Sequence, residues 1–457
     1  MTNDFHNIRL REIKRECDFL AGVPANQIQP VYFTPSLKEI CAKVIADNFE
    51  SLNGVDSLKA VDEELYNLVV DQLRTDLKLE VALRVHSDDY WRACCETRWS
   101  VGQLTSFTPS GKLEPPIDGK WKRLYLERNL EEFLMCISSP TMAEDDEAKM
   151  VRLCQDCSST VKSLKLTHQR CHFDVHELFS KLTNLQEFSL TYSVLNASVN
   201  FKLNMIGMNP SDAVSLQRVL KTFTGLSSLS LPGNRIDANI LKALVAGLVK
   251  NSSLTALDLS HNKIDDEGVA ALSLVLMKKD IRLQRLDLSD NMVRVEGAKS
   301  LGRALTSNAT VKSLSLRLNR LSDAGGEKLF DKISSNSTLT FLDVSSNDLG
   351  SDSARALHDA LSAPTSCCAL TSIDLSGNRF SEECGGLIVA AVTCCLHLTT
   401  VEVRSSGIGA TDVAEINRIT RERVFSNKMK EISVKEAAQQ EMIEKTVMEK
   451  VRKTHGI

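Results

Sequence analysis

Two groups of side chains in this 457-residue chain have the types that do chemistry. The first is Cys154-x-x-Cys157, followed by His168, Cys171, His172 and His176, the thiols and imidazoles that zinc prefers. Their spacing is poor, because an apolar phrase with Leu164 and Leu166 stands between the two halves as a strand would. Buried thiols and surface histidines are the better reading of Cys154, Cys157, Cys171 and His172, and no metal or cofactor is expected. His172 and His176 are four apart, but Phe173 stands where H-E-x-x-H needs its glutamate base. No glycine-rich phosphate loop and no G-x-S-x-G elbow occurs, so the residues point away from catalysis.

The second group is acidic. Asp258, Asp287, Asp343, Asp374 and Glu402 each lie between two apolar residues, with Ser230 and Ser315 at the equivalent places. Arg317 and Arg404 sit one step further along. If these segments are strands, alternation turns the acids away from the core onto one exposed face. That face is the candidate partner-binding surface, suited to a basic helix. The plainer reading is that acid or serine there only keeps the surface soluble.

The elements that would position these residues repeat. Leu254, Leu257 and Leu259 lead to Asn262; Leu283, Leu286 and Leu288 lead to Asn291; Val311, Leu314 and Leu316 lead to Asn319. The same phrase closes on Asn234, Asn347 and Asn378, and the gaps between successive asparagines are 28, 29, 28, 28 and 31 residues. This is L-x-x-L-x-L-x-x-N, the leucine-rich repeat phrase. The asparagine is expected to turn inward and pair backbone groups that the turn leaves open. Each strand is followed by an amphipathic helix, as at Asp265-Asp266-Glu267-Gly268, where acids favour a helix start. Degenerate copies end on Gln169, Ser193 and Ser406, which makes about nine strands. An inserted loop or hairpin is expected around Val199 to Leu203.

The fold expected is therefore α/β: a leucine-rich repeat solenoid of the ribonuclease-inhibitor-like class, with repeats of about 28 residues, an N-terminal helical cap domain and a C-terminal helical tail. Residues 1–30 form a polar segment with a short charged helix from Arg9 to Phe19. Residues 31–150 form the cap domain, which abuts the first repeats and holds all three tryptophans as core. In it Pro35-Ser36 caps a helix carrying Leu37, Ile40, Val44, Ile45 and Phe49, and Asp62 opens the next. Residues 151–410 are the solenoid. Residues 411–457 are a charged helical tail, one or two helices that pack little on their own domain, with Ile432, Met442, Ile443, Val447 and Val451 as an incomplete stripe. The tail is either solvated or a docking helix.

Net charge is −4, which gives no sign of nucleic acid or acidic lipid. The first residues are polar rather than a secretory signal, and Leu387 to Leu398 is too short to span a bilayer. The 13 cysteines are then expected as free thiols in a soluble, intracellular protein.

The chain resembles the T-complex-associated testis-expressed family, subunit 5 of the nexin–dynein regulatory complex of motile cilia. The resemblance rests on Ile45-Ala46-Asp47-Asn48-Phe49-Glu50, Gln72-Leu73-Arg74-Thr75-Asp76-Leu77 and Leu314-Ser315-Leu316-Arg317-Leu318-Asn319. Its most specific parts are Tyr90-Trp91-Arg92-Ala93-Cys94-Cys95 with Arg98-Trp99, and Trp121-Lys122-Arg123 with Leu126-Glu127-Arg128-Asn129-Leu130-Glu131. It covers roughly residues 35–410 and includes neither the tail nor the region from Cys154 to His176. It implies a non-enzymatic scaffold in the axoneme of the cilium or flagellum. The implied partners are other regulatory-complex subunits, with inner-arm dynein and the doublet microtubule as further candidates, and neither nucleic acid nor membrane. Two alternatives compete. One is an F-box-like ubiquitin-ligase adaptor built on residues 35–99. The other is a Ran-type GTPase-activating protein, though the mixed charge of the tail speaks against it. A ribonuclease-inhibitor-like binder is a lesser alternative.

Overall fold

The computed structural model describes residues 35–52, 57–99, 120–193, 206–363 and 368–455. The helix expected at Arg9–Phe19 and the hairpin expected around 199–203 lie outside the described residues. The chain divides into two compact units, 1–103 and 104–457.

The first unit holds α1 (Leu37–Asp47), α2 (Glu63–Val70) and α3 (Asp88–Arg98). Ser36 and Glu39 close α1 with a reciprocal capping box, and Asp62 Oδ1 caps α2 by accepting from the Leu65 amide at 2.9 Å. Tyr66, Val69, Val85, Trp91 and Cys95 fill the core. The Trp91 indole donates to the Val85 carbonyl at 3.0 Å, so its one polar atom is satisfied where it is buried. The apolar stripe expected of α1 packs only at its end. Phe49, just past the helix, is buried and α1 itself contributes Ala42, while Leu37 is 78% exposed and Ile40 and Val44 are exposed with it.

The second unit begins with α4 (Trp121–Cys136) and α5 (Glu144–Cys157). The cap domain expected at 31–150 takes in α4 and the start of α5; α4 packs against the first strand and against α5. Among the described residues nine parallel strands then lie side by side in chain order. They are β1 (Ser163–Gln169), β2 (Glu187–Tyr192), β3 (Ser228–Ser230), β4 (Ala256–Asp258), β5 (Arg285–Asp287), β6 (Ser313–Ser315), β7 (Phe341–Asp343), β8 (Ser372–Asp374) and β9 (Thr400–Glu402). Between them run α6 (Val175–Lys181), α7 (Pro210–Thr222), α8 (Ala238–Leu248), α9 (Asp266–Leu276), α10 (Val295–Ser307), α11 (Ser322–Ile333), α12 (Ser351–Ser362) and α13 (Cys384–Cys394). One leucine-like residue per strand stacks in register, running Phe188, Leu229, Leu257, Leu286, Leu314, Leu342, Ile373, Val401. Every member of that column is buried. The fold is an α/β leucine-rich repeat solenoid.

The asparagine ladder stitches neighbouring repeats together. Asn291 Nδ2 donates to the Leu288 carbonyl of its own repeat and to the Leu259 carbonyl of the one before, both at 3.0 Å. Its Oδ1 accepts from the Ile264 amide at 3.0 Å. Asn262 and Asn319 make the same set. Leucine at these places would have the size but none of the bonds, which is why the phrase ends in asparagine. At the last repeat Ser406 keeps only the local bond, to the Val403 carbonyl at 2.6 Å.

Both ends of the stack are covered. On α4, Glu127 Oε1 accepts from the amides of Lys162 and Ser163, and Glu131 Oε1 accepts from the amide of Lys165. An open strand edge would otherwise offer these groups to another chain. At the far end lies α14 (Ala410–His455), a single 46-residue helix. Its first turns pack, contrary to the expectation of a tail with little contact. Ile416 is fully buried, and the Arg423 guanidinium donates to the carbonyls of Thr393, Cys395 and Leu398 at the C-terminal end of α13. A cation suits those open carbonyls.

Candidate interaction surface

The concave face is built by the strand residues flanking the buried column. Register aligns Ser189, Ser230, Asp258, Asp287, Ser315, Asp343, Asp374 and Glu402 in one row from β2 to β9. The five acids singled out from the sequence therefore lie along one line, half-buried between their neighbours. Arg317 and Arg404 stand beyond the row, exposed.

The geometry gives the aspartates a structural task that the sequence reading missed. Asp258 Oδ1 accepts from the Ser260 amide, Asp287 Oδ1 from that of Ser289, Asp343 Oδ1 from that of Ser345 and Asp374 Oδ1 from that of Ser376, all at 2.8–2.9 Å. One oxygen of each carboxylate thus holds the backbone where the strand ends. The signal was present as Asp-x-Ser recurring in four strands. In β6 and β9 the third place is Arg317 and Arg404 instead, and Arg404 pairs with Glu402 at 3.2 Å. The row is therefore both a set of local ties and a line of negative charge. Asp258 spends its second oxygen on the Ser230 hydroxyl at 2.8 Å.

A second concave row runs parallel through Ser228, Ala256, Arg285, Ser313, Phe341, Ser372 and Thr400. It was not anticipated. Phe341 is an exposed aromatic there, two residues from Asp343, and Arg285 is exposed two residues from Asp287. Exposed aromatic and arginine side chains beside a charged line are what binding surfaces favour.

The thiol and imidazole group does not converge. Cys154 and Cys157 are buried on α5, where burial pushes both thiols up to about 12. Burial pushes Cys171 up to about 11. His168 Nδ1 meets the Ser193 hydroxyl at 3.0 Å, while His172 Nδ1 meets Asp212 Oδ2 at 2.7 Å and stacks on Tyr192. Asp212 also caps α7 through the Asn209 amide at 2.8 Å. A cavity of about 690 Å³ opens beside this pair, lined also by Thr141, Asp174 and Arg218. Among the described residues no three His, Cys, Asp or Glu side chains are placed to hold a metal ion. No helix of the described residues is long and apolar enough to cross a membrane.

Comparison with known proteins agrees with the repeat architecture. A family model described as Leucine Rich repeat matches residues 250–273, 282–302, 307–330 and 335–357. The chain is 32% identical over 210 residues to Dynein regulatory complex subunit 5 of Chlamydomonas reinhardtii, covering 46% of this chain and 50% of that one. It is 27% identical over 263 residues to Dynein regulatory complex subunit 5 of Mus musculus, covering 52% and 50%. It is also 33% identical over 135 residues to a ribonuclease inhibitor of Mus musculus, covering 29% and 30%. The chain thus spans about half the length of the regulatory-complex relatives it matches.

Proposed function

We propose that this chain, a leucine-rich repeat protein of the dynein regulatory complex subunit 5 family, is a non-enzymatic scaffold subunit of that complex in the axoneme of a cilium or flagellum. The observation that carries the reading is its similarity to relatives of that name from both Mus musculus and Chlamydomonas reinhardtii. The partners proposed are other subunits of the complex, with inner-arm dynein and the doublet microtubule as further candidates. The molecule's own chemistry supports a binding role. Asparagines bonded across repeats keep the strands in fixed register, so the concave rows present charge and aromatic surface without reordering on binding. The row of Asp258, Asp287, Asp343, Asp374 and Glu402, with Phe341, Arg317 and Arg404 beside it, is proposed as one contact. Several modest contacts held by one chain reinforce each other, which suits a scaffold.

A ubiquitin-adaptor reading keeps one observation in its favour, the exposed apolar row Leu37, Ile40 and Val44 on α1. Affinity purification of the tagged full chain from flagellated cells separates the two. Recovery of regulatory-complex subunits is expected, and recovery of a cullin adaptor without them would favour the alternative.

A further inference from the structure

The tail helix α14 has two opposite faces. Ile416 is fully buried and Thr420 nearly so, and both face the last repeat. Phe425 follows Ile416 by nine residues, about two and a half turns, and so lies on the other side. There Phe425, Met429 and Ile432 are 68%, 51% and 48% exposed. Their spacing of four and then three is that of a coiled-coil seam.

The charges beside the seam are one-sided. Arg421, Lys428 and Lys435 recur every seven residues along one flank, all exposed. The other flank holds Ser426, which is uncharged and exposed. At the root of the seam a cleft of about 260 Å³ opens between Thr399 of the last repeat and Thr420, Arg421, Val424, Phe425 and Lys428 of the helix. A second copy is a poor occupant. Parallel pairing would set Arg421 against Ser426, which offers no charge to answer it. Antiparallel pairing would set the basic row against itself.

We infer that α14 is a docking helix for one kind of partner: an amphipathic helix whose apolar seam is flanked by acidic residues. The seam residues enter the partner's holes, the basic row selects acidic flanks, and the cleft beside Thr399 takes the partner's terminal apolar side chain. This surface is separate from the concave face and does not depend on the ciliary assignment.

The test uses the full chain and two fluorescent designed peptides with identical Ile and Leu seams, one with Glu and one with Lys at the flanking positions. Anisotropy titration should show the Glu peptide binding at least about tenfold more tightly, with the margin shrinking as salt rises. Phe425→Asp with Met429→Asp should abolish binding while the melting curve is unchanged. Should that variant lose stability, Arg421→Glu with Lys428→Glu and Lys435→Glu leaves the seam intact and should reverse the preference toward the Lys peptide. Equal binding of both peptides, an unchanged preference in the charge-reversed variant, or a dimer in light scattering that the seam variant dissociates would each overturn the inference.

Discussion

Glu127 Oε1 lies 2.8 Å from the amide nitrogen of Ser163, so a carboxylate on α4 closes the amide edge of β1. One turn later Glu131 repeats the contact with Lys165 at 2.7 Å. Glutamates four apart on a helix meet amides two apart on a strand because both spacings are near 6 Å. Arg123 and Arg128 pair with the same carboxylates at 2.7 and 2.9 Å and offset their burial. The block Leu126-Glu127-Arg128-Asn129-Leu130-Glu131 is thus an edge cover.

Glu131→Ala should therefore destabilise the second unit by about 1 kcal/mol, because the Lys165 amide loses its acceptor at a part-buried site. Chemical denaturation followed by circular dichroism measures it. An unchanged midpoint would mean the edge needs no cover.

Much of this fold was legible because the repeat writes its period into residue types. Leu257, Leu286 and Leu314 mark the strands, and Asn262, Asn291 and Asn319 mark where they end. A second set of asparagines was not read. Asn251, Asn308 and Asn336 sit three residues before a strand phrase and tie it to the helix of the repeat before, as when Asn308 donates to the Leu276 carbonyl at 2.8 Å and accepts from the Val311 amide at 2.8 Å. The set is broken by Asp280, so no period shows. The corner before each ladder asparagine was hidden for another reason. His261, Asp290, Leu318 and Ser346 all take positive φ there, although only Gly233 and Gly377 advertise it by type. The roles of Glu127, Glu131 and the strand aspartates depend on which amides the fold brings near them. Residue type alone gave only their charge.

Asn291→Leu should cost about 1–3 kcal/mol, since it orphans the buried Ile264 amide and takes one of two asparagine donors from each of the Leu259 and Leu288 carbonyls. Loss of cooperativity in thermal unfolding should accompany it, because the bonds cross between repeats. A variant that melts as the parent does would contradict the ladder's role.

Asp323 and Glu131 should respond to pH in opposite senses. Burial works against the charge of Asp323, but hydrogen bonds from Ser353, Asp352 and Gly350 outweigh it and hold the carboxyl below its ordinary 3.8. Its contribution is present above that value and is lost as pH falls through the lower native one. Burial pushes the Glu131 carboxyl above its ordinary 4.5, against the pull of Arg128 and the Lys165 amide. Its contribution is full below 4.5 and declines as pH rises through the native value. Stability measured against pH should lose its acid-side slope in Asp323→Asn and its higher-pH slope in Glu131→Gln. Parallel curves for parent and variants would refute both assignments.

The concave row can be tested without breaking its local ties. Asp287→Asn with Asp343→Asn keeps an acceptor for the Ser289 and Ser345 amides and removes two charges. It should leave stability within about 0.5 kcal/mol and reduce co-purification with partner subunits several-fold. Lysine at the same places should lower stability as well. Full co-purification of the asparagine variant would reduce the row to its structural task.

The most direct measurement is the position of the tagged full chain in a flagellated cell after detergent and high-salt extraction of the axoneme. The scaffold account predicts signal retained along the extracted axoneme, and its loss in a mutant lacking other regulatory-complex subunits. Release by detergent, or retention that is indifferent to those subunits, would contradict it.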